Sequence, residues 1–374
     1  MTTMTTTRKQ TKYFVARSYR ITQAIIAPAV AIILTCHLWL IAFPSRELTN
    51  AVSQDQSKGQ SAVHTVNIVQ WRHGYLEAID NRRIVMHETS GRGCLSARQS
   101  CAIESAARNN PDRPVQLLMR QPFMSNGSRS DAWFIVMRRY SNVEIIRLSD
   151  ETQYFNNTAL FGWYQAAKWR HHGTQLSEYF RSVSLFRGGG LLLDLDSVVT
   201  IKPLNWLKWS NFFVVKRSDR NSLDGRVTVH MLHLVHGHHL IDEVILNMAN
   251  MDSKEAPNGR RFGAAIEASM GRICGGNEPD KHFENRCLDV RLIDQDHVFL
   301  PPLSSFRWRR SRLAITTGTE NETIKKSIED HDAVLVTWNS MGKMKRNLRD
   351  SVYSSLLAEH CPFTFAASNN FPCS

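Results

Sequence analysis

The chain has 374 residues, 42% of them hydrophobic, and a formal net charge of +12 at pH 7. This composition supports a sizeable core, arranged as one large or two ordinary domains. The positive charge does not indicate a nucleic-acid partner. Five basic residues lie within residues 1–20, the others are spread out apart from two local clusters, and no nucleic-acid motif is present.

An apolar segment follows the basic amino terminus. Residues 21–43 contain no Asp, Glu, Lys or Arg over 23 positions, enough to cross a hydrocarbon core of about 30 Å. The segment exceeds the roughly 7–15-residue apolar region of a cleaved signal peptide. Because the basic residues precede it, residues 1–20 are expected in the cytoplasm. We predict a signal anchor in the lipid bilayer and a single-pass type II protein whose bulk is lumenal.

Two further patterns agree with a lumenal location. Glycosylation sequons begin at Asn126, Asn156 and Asn321. Six cysteines follow the anchor, an even number that can pair fully in an oxidising compartment. We favour a disulfide between Cys274 and Cys287, since glycine and proline between them allow the chain to turn. A zinc site is the alternative, and the lack of any Cys-x-x-Cys disfavours it.

The remaining chain is predicted to consist of a stem and one folded domain. Residues 44–81 are polar and indicate a flexible stem, and residues 82–374 form the lumenal domain. In that domain we predict strands at 82–87, 115–119, 143–148, 212–216, 227–235 and 332–338, and helices at 101–109, 177–187 and 239–250. This alternation is typical of an α/β fold with a mainly parallel sheet, in which ligands bind beyond the carboxyl ends of strands.

A glycine-rich stretch at residues 188–190 precedes the most distinctive strand. Leu191, Leu192 and Leu193 lack polar alternation, as expected of a strand covered on both faces. Asp194 and Asp196 follow, and residues i and i+2 of an extended segment point the same way. We therefore expect the two carboxylates to converge on a divalent cation, with Mg²⁺ or Mn²⁺ suited to such oxygen ligands. The alternative is that these aspartates only end a strand and begin a turn.

Several segments between about residues 84 and 362 are distinctive in combination. They are His87-Glu-Thr-Ser, Cys101-Ala-Ile-Glu-Ser-Ala-Ala-Arg, Trp163-Tyr164, Ser177-Glu178 with Arg181, Gly188 to Asp196, Lys202-Pro-Leu, Trp338-Asn339 and Cys361-Pro. In these segments the chain resembles the α-1,4-galactosyltransferase family, which includes lactosylceramide 4-α-galactosyltransferase and insect α-1,4-N-acetylgalactosaminyltransferases. The resemblance covers nearly all of the predicted lumenal domain.

The resemblance implies a Golgi glycosyltransferase with a GT-A fold, a Rossmann-like nucleotide-sugar domain. Such an enzyme moves galactose or N-acetylgalactosamine from UDP-galactose or UDP-N-acetylgalactosamine to a glycosphingolipid acceptor, with retention at the anomeric carbon. It implies Mn²⁺ or another divalent cation on Asp194 and Asp196. On the donor side it implies Glu178, Arg181, Asp194, Trp338 and Asn339, where a salt bridge between Glu178 and Arg181 is the alternative role for that pair. It assigns no catalytic residue.

The chain departs from the family pattern at several positions. Val336 stands where the family has a histidine before Trp-Asn, and Val229 begins a segment that lacks the family's amide and glycine; the segment near Ala264 aligns only loosely. His230 and the four histidines within residues 233–239 are candidates to replace the missing imidazole, and the alternative is that those four are exposed loop histidines. The alternative function is therefore a weak or inactive relative that binds a Golgi partner enzyme or a glycan.

Overall fold

A computed structural model describes residues 65–72, 81–120, 132–166, 173–196, 198–204, 211–216, 226–251, 260–273, 286–287, 289–299, 335–337 and 358–367. The chain divides into two units, residues 1–62 and 63–374. The first unit, with the predicted anchor at residues 21–43, lies outside the described residues. Within the described residues, no helix is both long and apolar enough for a membrane span.

Eleven strands and nine helices lie in the described part of the chain. The strands are β1 (Asn67–Gln70), β2 (Ile84–Glu88), β3 (Val115–Met119), β4 (Val143–Arg147), β5 (Gly190–Leu193), β6 (Val198–Thr200), β7 (Phe212–Lys216), β8 (Arg226–Leu234), β9 (Arg286–Cys287), β10 (Val290–Asp294) and β11 (Leu335–Thr337). The helices are α1 (Ala97–Asn109), α2 (Ala132–Met137), α3 (Glu151–Phe155), α4 (Phe161–Gln165), α5 (Gly173–Gly188), α6 (His239–Asn250), α7 (Arg261–Ile273), α8 (Gln295–Val298) and α9 (Pro362–Ala367).

Nine strands form one mixed sheet in the order β1-β4-β3-β2-β5-β8-β7-β10-β9. The first five in that order are parallel, and β8 is antiparallel to both β5 and β7. β6 and β11 form a separate antiparallel pair that joins Val199 to Val336. The predicted α/β class is confirmed, with a sheet that is parallel on one side and mixed on the other.

Most predicted elements lie close to the observed ones, with two differences of note. β1 lies within residues 44–81, which we predicted to be a stem, and it pairs with β4. The folded sheet therefore begins before the predicted boundary at residue 82. Helix α7 and strand β10 were not predicted, and both belong to the same domain.

Apolar side chains cover the large sheet on both faces. Ile84 and Met86 of β2 pack into one cluster with α1 and α2, whereas Val85 packs into another with α5, α6 and α7. The chain continues from β2 to β3 on one side, while β5 pairs with the other edge of β2. Strand order therefore changes direction between β2 and β5, and in open α/β sheets a ligand crevice lies outside the carboxyl ends of strands at such a point.

The amino end of β5 explains the predicted glycine turn. Gly189 and Gly190 have φ of +59° and +101°, a region that favours glycine. A Cβ on Gly189 would lie 2.3 Å from the backbone nitrogen of His236, and one on Gly190 would lie 2.8 Å from Cγ of Arg83. Two observations thus require glycine here: the backbone conformation and the closeness of neighbouring atoms.

Arg83 is fully buried beneath these glycines. Its Nε and Nη2 donate to the carbonyl oxygen of Gly189 at 3.0 and 2.9 Å, and Nη2 also donates to the Ser184 carbonyl at 3.3 Å. Its Nη1 donates to Gln116 at 3.1 Å. Because buried polar groups need hydrogen-bond partners, this network fixes how α5 enters β5.

Candidate active site

Asp194 lies directly after β5, at the carboxyl end of the sheet, and is only 7% exposed. Its backbone N–H donates to the carbonyl oxygen of His230 at 2.9 Å, so it is still held against β8. Nη2 of Arg181 donates to its Oδ1 at 2.6 Å, and Nδ1 of His230 lies 2.9 Å from its Oδ2. Both oxygens of this carboxylate are therefore engaged by basic side chains.

Asp196 differs from Asp194 in exposure and in partners. Its side chain lies at the surface, and Nε2 of Gln99 donates to its Oδ1 at 2.8 Å. The strand ends at Leu193, and residues 195 and 196 form a turn in which the backbone N–H of Asp196 lies 3.4 Å from Oδ1 of Asp194. Our expectation of two carboxylates side by side on an extended segment was therefore wrong, because a turn separates them.

The side chains at this turn fit a divalent cation in their chemistry. Carboxylate oxygens suit Mn²⁺, and the imidazole of His230 is a further nitrogen donor beside Asp194. Across the described ranges, no group of three or more His, Cys, Asp or Glu side chains is arranged as a metal site. A cation here would be held by Asp196 and Asp194, with His230 next to them, and would take its other oxygens from substrate or water.

The other histidines of this region lie away from the turn. Nε2 of His233 lies 3.1 Å from the carbonyl oxygen of Asn81, and Nε2 of His238 lies 2.8 Å from Asp289. His238 also accepts a hydrogen bond from the backbone of Leu240 and thereby caps α6. Of the predicted replacements for the missing imidazole, His230 is the one that the structure brings to Asp194.

Helix α5 carries two predicted donor-side residues that contact different partners. Arg181 is bound to Asp194. Glu178 is 4% exposed, and its Oε1 accepts a hydrogen bond from the backbone of Phe262, in the first turn of α7, at 3.3 Å. The structure thus places Arg181 beside the Asp194 carboxylate. It places Glu178 at the amino end of a neighbouring helix, where a negative charge is favourable.

Several predicted residues lie outside the described residues. These are Trp338, Asn339, Asn126, Asn321 and Cys274, and with Cys274 the predicted disulfide to Cys287. Asn156 is described and is exposed just after α3, a position accessible to glycosylation.

A disulfide that we did not predict joins Cys101 of α1 to Cys361, and Cys94 is disulfide-bonded as well. Three residues beyond Cys101, the carboxylate of Glu104 accepts hydrogen bonds from the backbone of Phe363 and Thr364 at 2.9 and 2.8 Å. Burial raises the pKa of Glu104, against these hydrogen bonds. The Cys-x-x-Glu segment thus attaches the first turn of α9 to α1, and we call this arrangement the carboxyl-terminal clasp.

The carboxyl end of β2 lies across the strand switch from Asp194. His87 is buried there, and its Nε2 lies 2.9 Å from Oγ of Ser184. Burial lowers the pKa of His87 well below its usual value, and the cations of Arg181 and Arg83 lower it further. The sequence showed the His87 segment but no role for it. The structure indicates a neutral imidazole bound to Ser184, whose hydroxyl donates to the backbone carbonyl of Arg181 at 3.1 Å.

Two family models match successive parts of this chain. The glycosyltransferase sugar-binding region containing a DXD motif matches residues 96–213, and the α-1,4-glycosyltransferase conserved region matches residues 233–368. Human α-1,4-N-acetylglucosaminyltransferase is 24% identical over 310 residues, covering 78% of this chain and 83% of that protein. Mouse lactosylceramide 4-α-galactosyltransferase is 33% identical over 122 residues, which cover 32% of this chain and 34% of that enzyme.

Among solved structures, similarity is distant. The bifunctional glycosyltransferase WbbM aligns with a TM-score of 0.44 at 9% identity, over 79% of this chain and 51% of that one. The galactosyltransferase LgtC, in complex with donor and acceptor sugar analogs, aligns with a TM-score of 0.37 at 13% identity, over 78% of this chain and 97% of that one.

Proposed function

Because the chain belongs to the α-1,4-glycosyltransferase family and is a hexosyltransferase, we propose that it moves galactose or an N-acetylhexosamine from a UDP-sugar to a glycosphingolipid, forming an α-1,4 linkage with retention at the anomeric carbon. Galactose and N-acetylgalactosamine are the donors that the sequence resemblance implies. N-acetylglucosamine joins them because of the human relative's name. The proposal includes a GT-A arrangement of the domain, Mn²⁺ as cofactor, and a Golgi membrane location behind the predicted anchor at residues 21–43.

One observation carries this proposal: the Asp-x-Asp lies at the strand switch with one carboxylate fixed and the other open. Asp194 is held by Arg181 and His230, whereas Asp196 is exposed and is not used by any basic side chain in the described residues. A cation held there would neutralise charge that develops on the departing nucleotide. The fixed Asp194 and the accessible Asp196 suit a diphosphate that arrives from the crevice between β2 and β5.

The contacts assign different tasks to the neighbouring side chains. Arg181 is largely buried and orients Asp194 through a charged hydrogen bond, a strong kind of contact. His230 lies at the more exposed side of Asp194, with 42% of its side chain accessible, and it restricts the second oxygen. We therefore propose that Arg181 acts on the donor through Asp194, and that Asp196 provides the accessible metal ligand. Trp338 and Asn339 stay predicted donor-side residues.

The test uses the full chain in detergent micelles. Sugar transfer to lactosylceramide is measured by mass spectrometry with Mn²⁺ and, in turn, UDP-galactose, UDP-N-acetylgalactosamine and UDP-N-acetylglucosamine. Asp196→Asn should lower transfer by about 100-fold or more, since it removes charge from the metal site. Asp112→Asn is the matched control: it removes one exposed carboxylate before β3, at the opposite end of the strands, and should leave transfer unchanged.

Two results would contradict the proposal. If the wild type transfers no more sugar than Asp196→Asn with any of the three donors, the proposed transfer reaction is contradicted. UDP and Mn²⁺ binding without transfer would favour the alternative of a relative that binds a Golgi partner or a glycan. Loss of transfer on omission of divalent cation, and its recovery with Mn²⁺, would support the metal assignment separately.

A further inference from the structure

Gln99 has both ends of its side-chain amide engaged at the start of α1. It is 4% exposed and is the third residue of the helix, after the N-cap Ser96. Its Oε1 accepts hydrogen bonds from the backbone N–H of Ser96 at 3.0 Å and from the Ser96 hydroxyl at 3.3 Å. Its Nε2 donates to Oδ1 of Asp196 at 2.8 Å. One side chain therefore joins a helix cap to the Asp-x-Asp.

The capping box also fixes which way this amide faces. A backbone N–H is only a donor, so the amide oxygen of Gln99 must be the atom that faces Ser96. The amide nitrogen must then face Asp196, where it meets a carboxylate that only accepts. The orientation is set by the helix, and it does not depend on a ligand in the crevice.

The backbone beyond Asp196 is anchored to the same helix. The backbone N–H of Thr200 donates to the Ser105 hydroxyl at 3.1 Å, and Nδ2 of Asn109 donates to the Thr200 carbonyl at 2.8 Å. Residues in the second half of helix α1 therefore hold Thr200, which follows the Asp-x-Asp. Within the described residues, Gln99 is the side chain that restrains the exposed Asp196 carboxylate.

We propose that Gln99 is a positioning residue for Asp196. It holds Oδ1 of this carboxylate and leaves Oδ2 for a divalent cation, so that the exposed ligand is oriented before the metal and nucleotide arrive. Partners behind metal ligands commonly change metal affinity by 10–100-fold when they are removed. The inference rests on the proposed function, because it concerns the cation site of that reaction.

The test measures Mn²⁺ binding directly, in the full chain in detergent with saturating UDP, from the electron paramagnetic resonance signal of free Mn²⁺. Gln99→Met keeps the length and apolar stem of the side chain but removes its hydrogen bonds. We expect the Kd for Mn²⁺ to rise about 10-fold. Ser96→Ala is the matched control, because it weakens the same capping box and leaves Gln99 free to donate to Asp196. We expect its Kd to stay within twofold of wild type, while thermal unfolding shows both variants to be less stable.

The outcomes separate this inference from the proposed function. If wild type binds Mn²⁺ and Asp196→Asn does not, but Gln99→Met binds like wild type, the inference is overturned and the proposed function stands. Equal loss in Gln99→Met and Ser96→Ala also overturns it, since the cap alone then accounts for the effect. If wild type binds no Mn²⁺, the metal assignment and this inference both fail.

A second variant covers the case in which Gln99→Met does not fold. Gln99→Glu retains an oxygen for the cap but cannot donate from a deprotonated carboxylate to Asp196. A Kd raised at least fivefold supports the inference, because the variant no longer donates to Asp196 and its carboxylate repels that side chain. An unchanged or lower Kd in this variant overturns it.

Discussion

An arginine from another part of the chain lies beside each end of β5, and the two arginines bind different kinds of acceptor. At the amino end, fully buried Arg83 donates to main-chain carbonyls and an amide. At the carboxyl end, Arg181 donates to the Asp194 carboxylate. The first cation satisfies the backbone of a tight turn. The second holds a side chain that faces the strand switch.

Stability and function therefore depend on opposite ends of one short strand. The hydrogen bonds of Arg83 to backbone carbonyls and to Gln116 fix the turn that leads into β5. The contact of Arg181 with Asp194 orients an ionised group that the proposed reaction needs. Substitutions at the amino end should therefore change the free energy of unfolding, and substitutions at the carboxyl end should change activity.

The largest effect is expected from Gly189→Ala at the amino end. Its Cβ would lie 2.3 Å from a backbone atom, at a φ of +59°, so strain and overlap add to about 4 kcal/mol of lost stability. Urea unfolding of the full chain in detergent measures this. Gly237→Ala is the control, since Gly237 has a φ of +73° with nothing within 4 Å of a Cβ, and should cost only about 1 kcal/mol. Equal losses would show that the close contact is not the cause.

Arg83→Lys should give the next largest effect, again on stability. Lysine keeps the charge but lacks the planar fork that reaches two carbonyls and Gln116 together. Loss of buried hydrogen bonds should lower the free energy of unfolding by about 3 kcal/mol. Transfer activity per folded molecule, normalised by the native fraction from the same unfolding curve, should stay within twofold. A large fall in that normalised activity would show that Arg83 also contributes to the reaction.

Arg181→Lys makes the same substitution at the carboxyl end and should act mainly on the reaction. A lysine there preserves the charge next to Asp194 but does not hold its Oδ1 in the same geometry. We expect transfer to fall about 30-fold, equivalent to about 2 kcal/mol. The free energy of unfolding should fall less than in Arg83→Lys, because lysine keeps a positive charge beside the buried Asp194. A loss of stability equal to that of Arg83→Lys, with unchanged activity, would show that Arg181 serves the fold and not the reaction.

The smallest effect is a pH dependence due to His87. Its folded pKa is lowered by burial and then by Arg181 and Arg83, so the unfolded chain takes up a proton near pH 6.5 that the folded chain does not. Stability should be unaffected above that pH and fall by about 1 kcal/mol between pH 7 and 5.5. Urea unfolding at both pH values measures this. His87→Gln should remove that part of the pH dependence, and parallel pH profiles for the two proteins would exclude His87 as its source.

Local patterns predicted those parts of the fold that depend on neighbouring residues. The strand at residues 115–119 and the helix at residues 239–250 have the bounds that their apolar periodicity indicated. The glycine turn before Asp194 was also predicted, since backbone conformations with positive φ favour glycine. Helix α7 was missed. It contains Gly263 and Gly271, which weaken a helical pattern, although its buried Phe262, Ile266 and Met270 recur at helical spacing.

Only the part of the candidate site formed by neighbouring residues was predictable from the sequence. The Asp-x-Asp was visible in sequence, but its partners are remote along the chain: Gln99 is 97 residues from Asp196, and His230 is 36 residues from Asp194. These contacts follow from the order of strands, which periodicity does not encode. The same limit applies to the disulfide between Cys101 and Cys361, which are 260 residues apart. The pair Cys274 and Cys287 stays a prediction.

The carboxyl-terminal clasp has a consequence for biosynthesis. The ribosome makes Cys361 and the first turn of α9 after all of the strands described above, yet these residues complete the surroundings of Glu104 and Cys101 in α1. Until then Cys101 lacks its disulfide partner, and Glu104 lacks the backbone donors of Phe363 and Thr364. A chain that stops between residues 197 and 360 would therefore contain the Asp-x-Asp but lack this disulfide and these two hydrogen bonds.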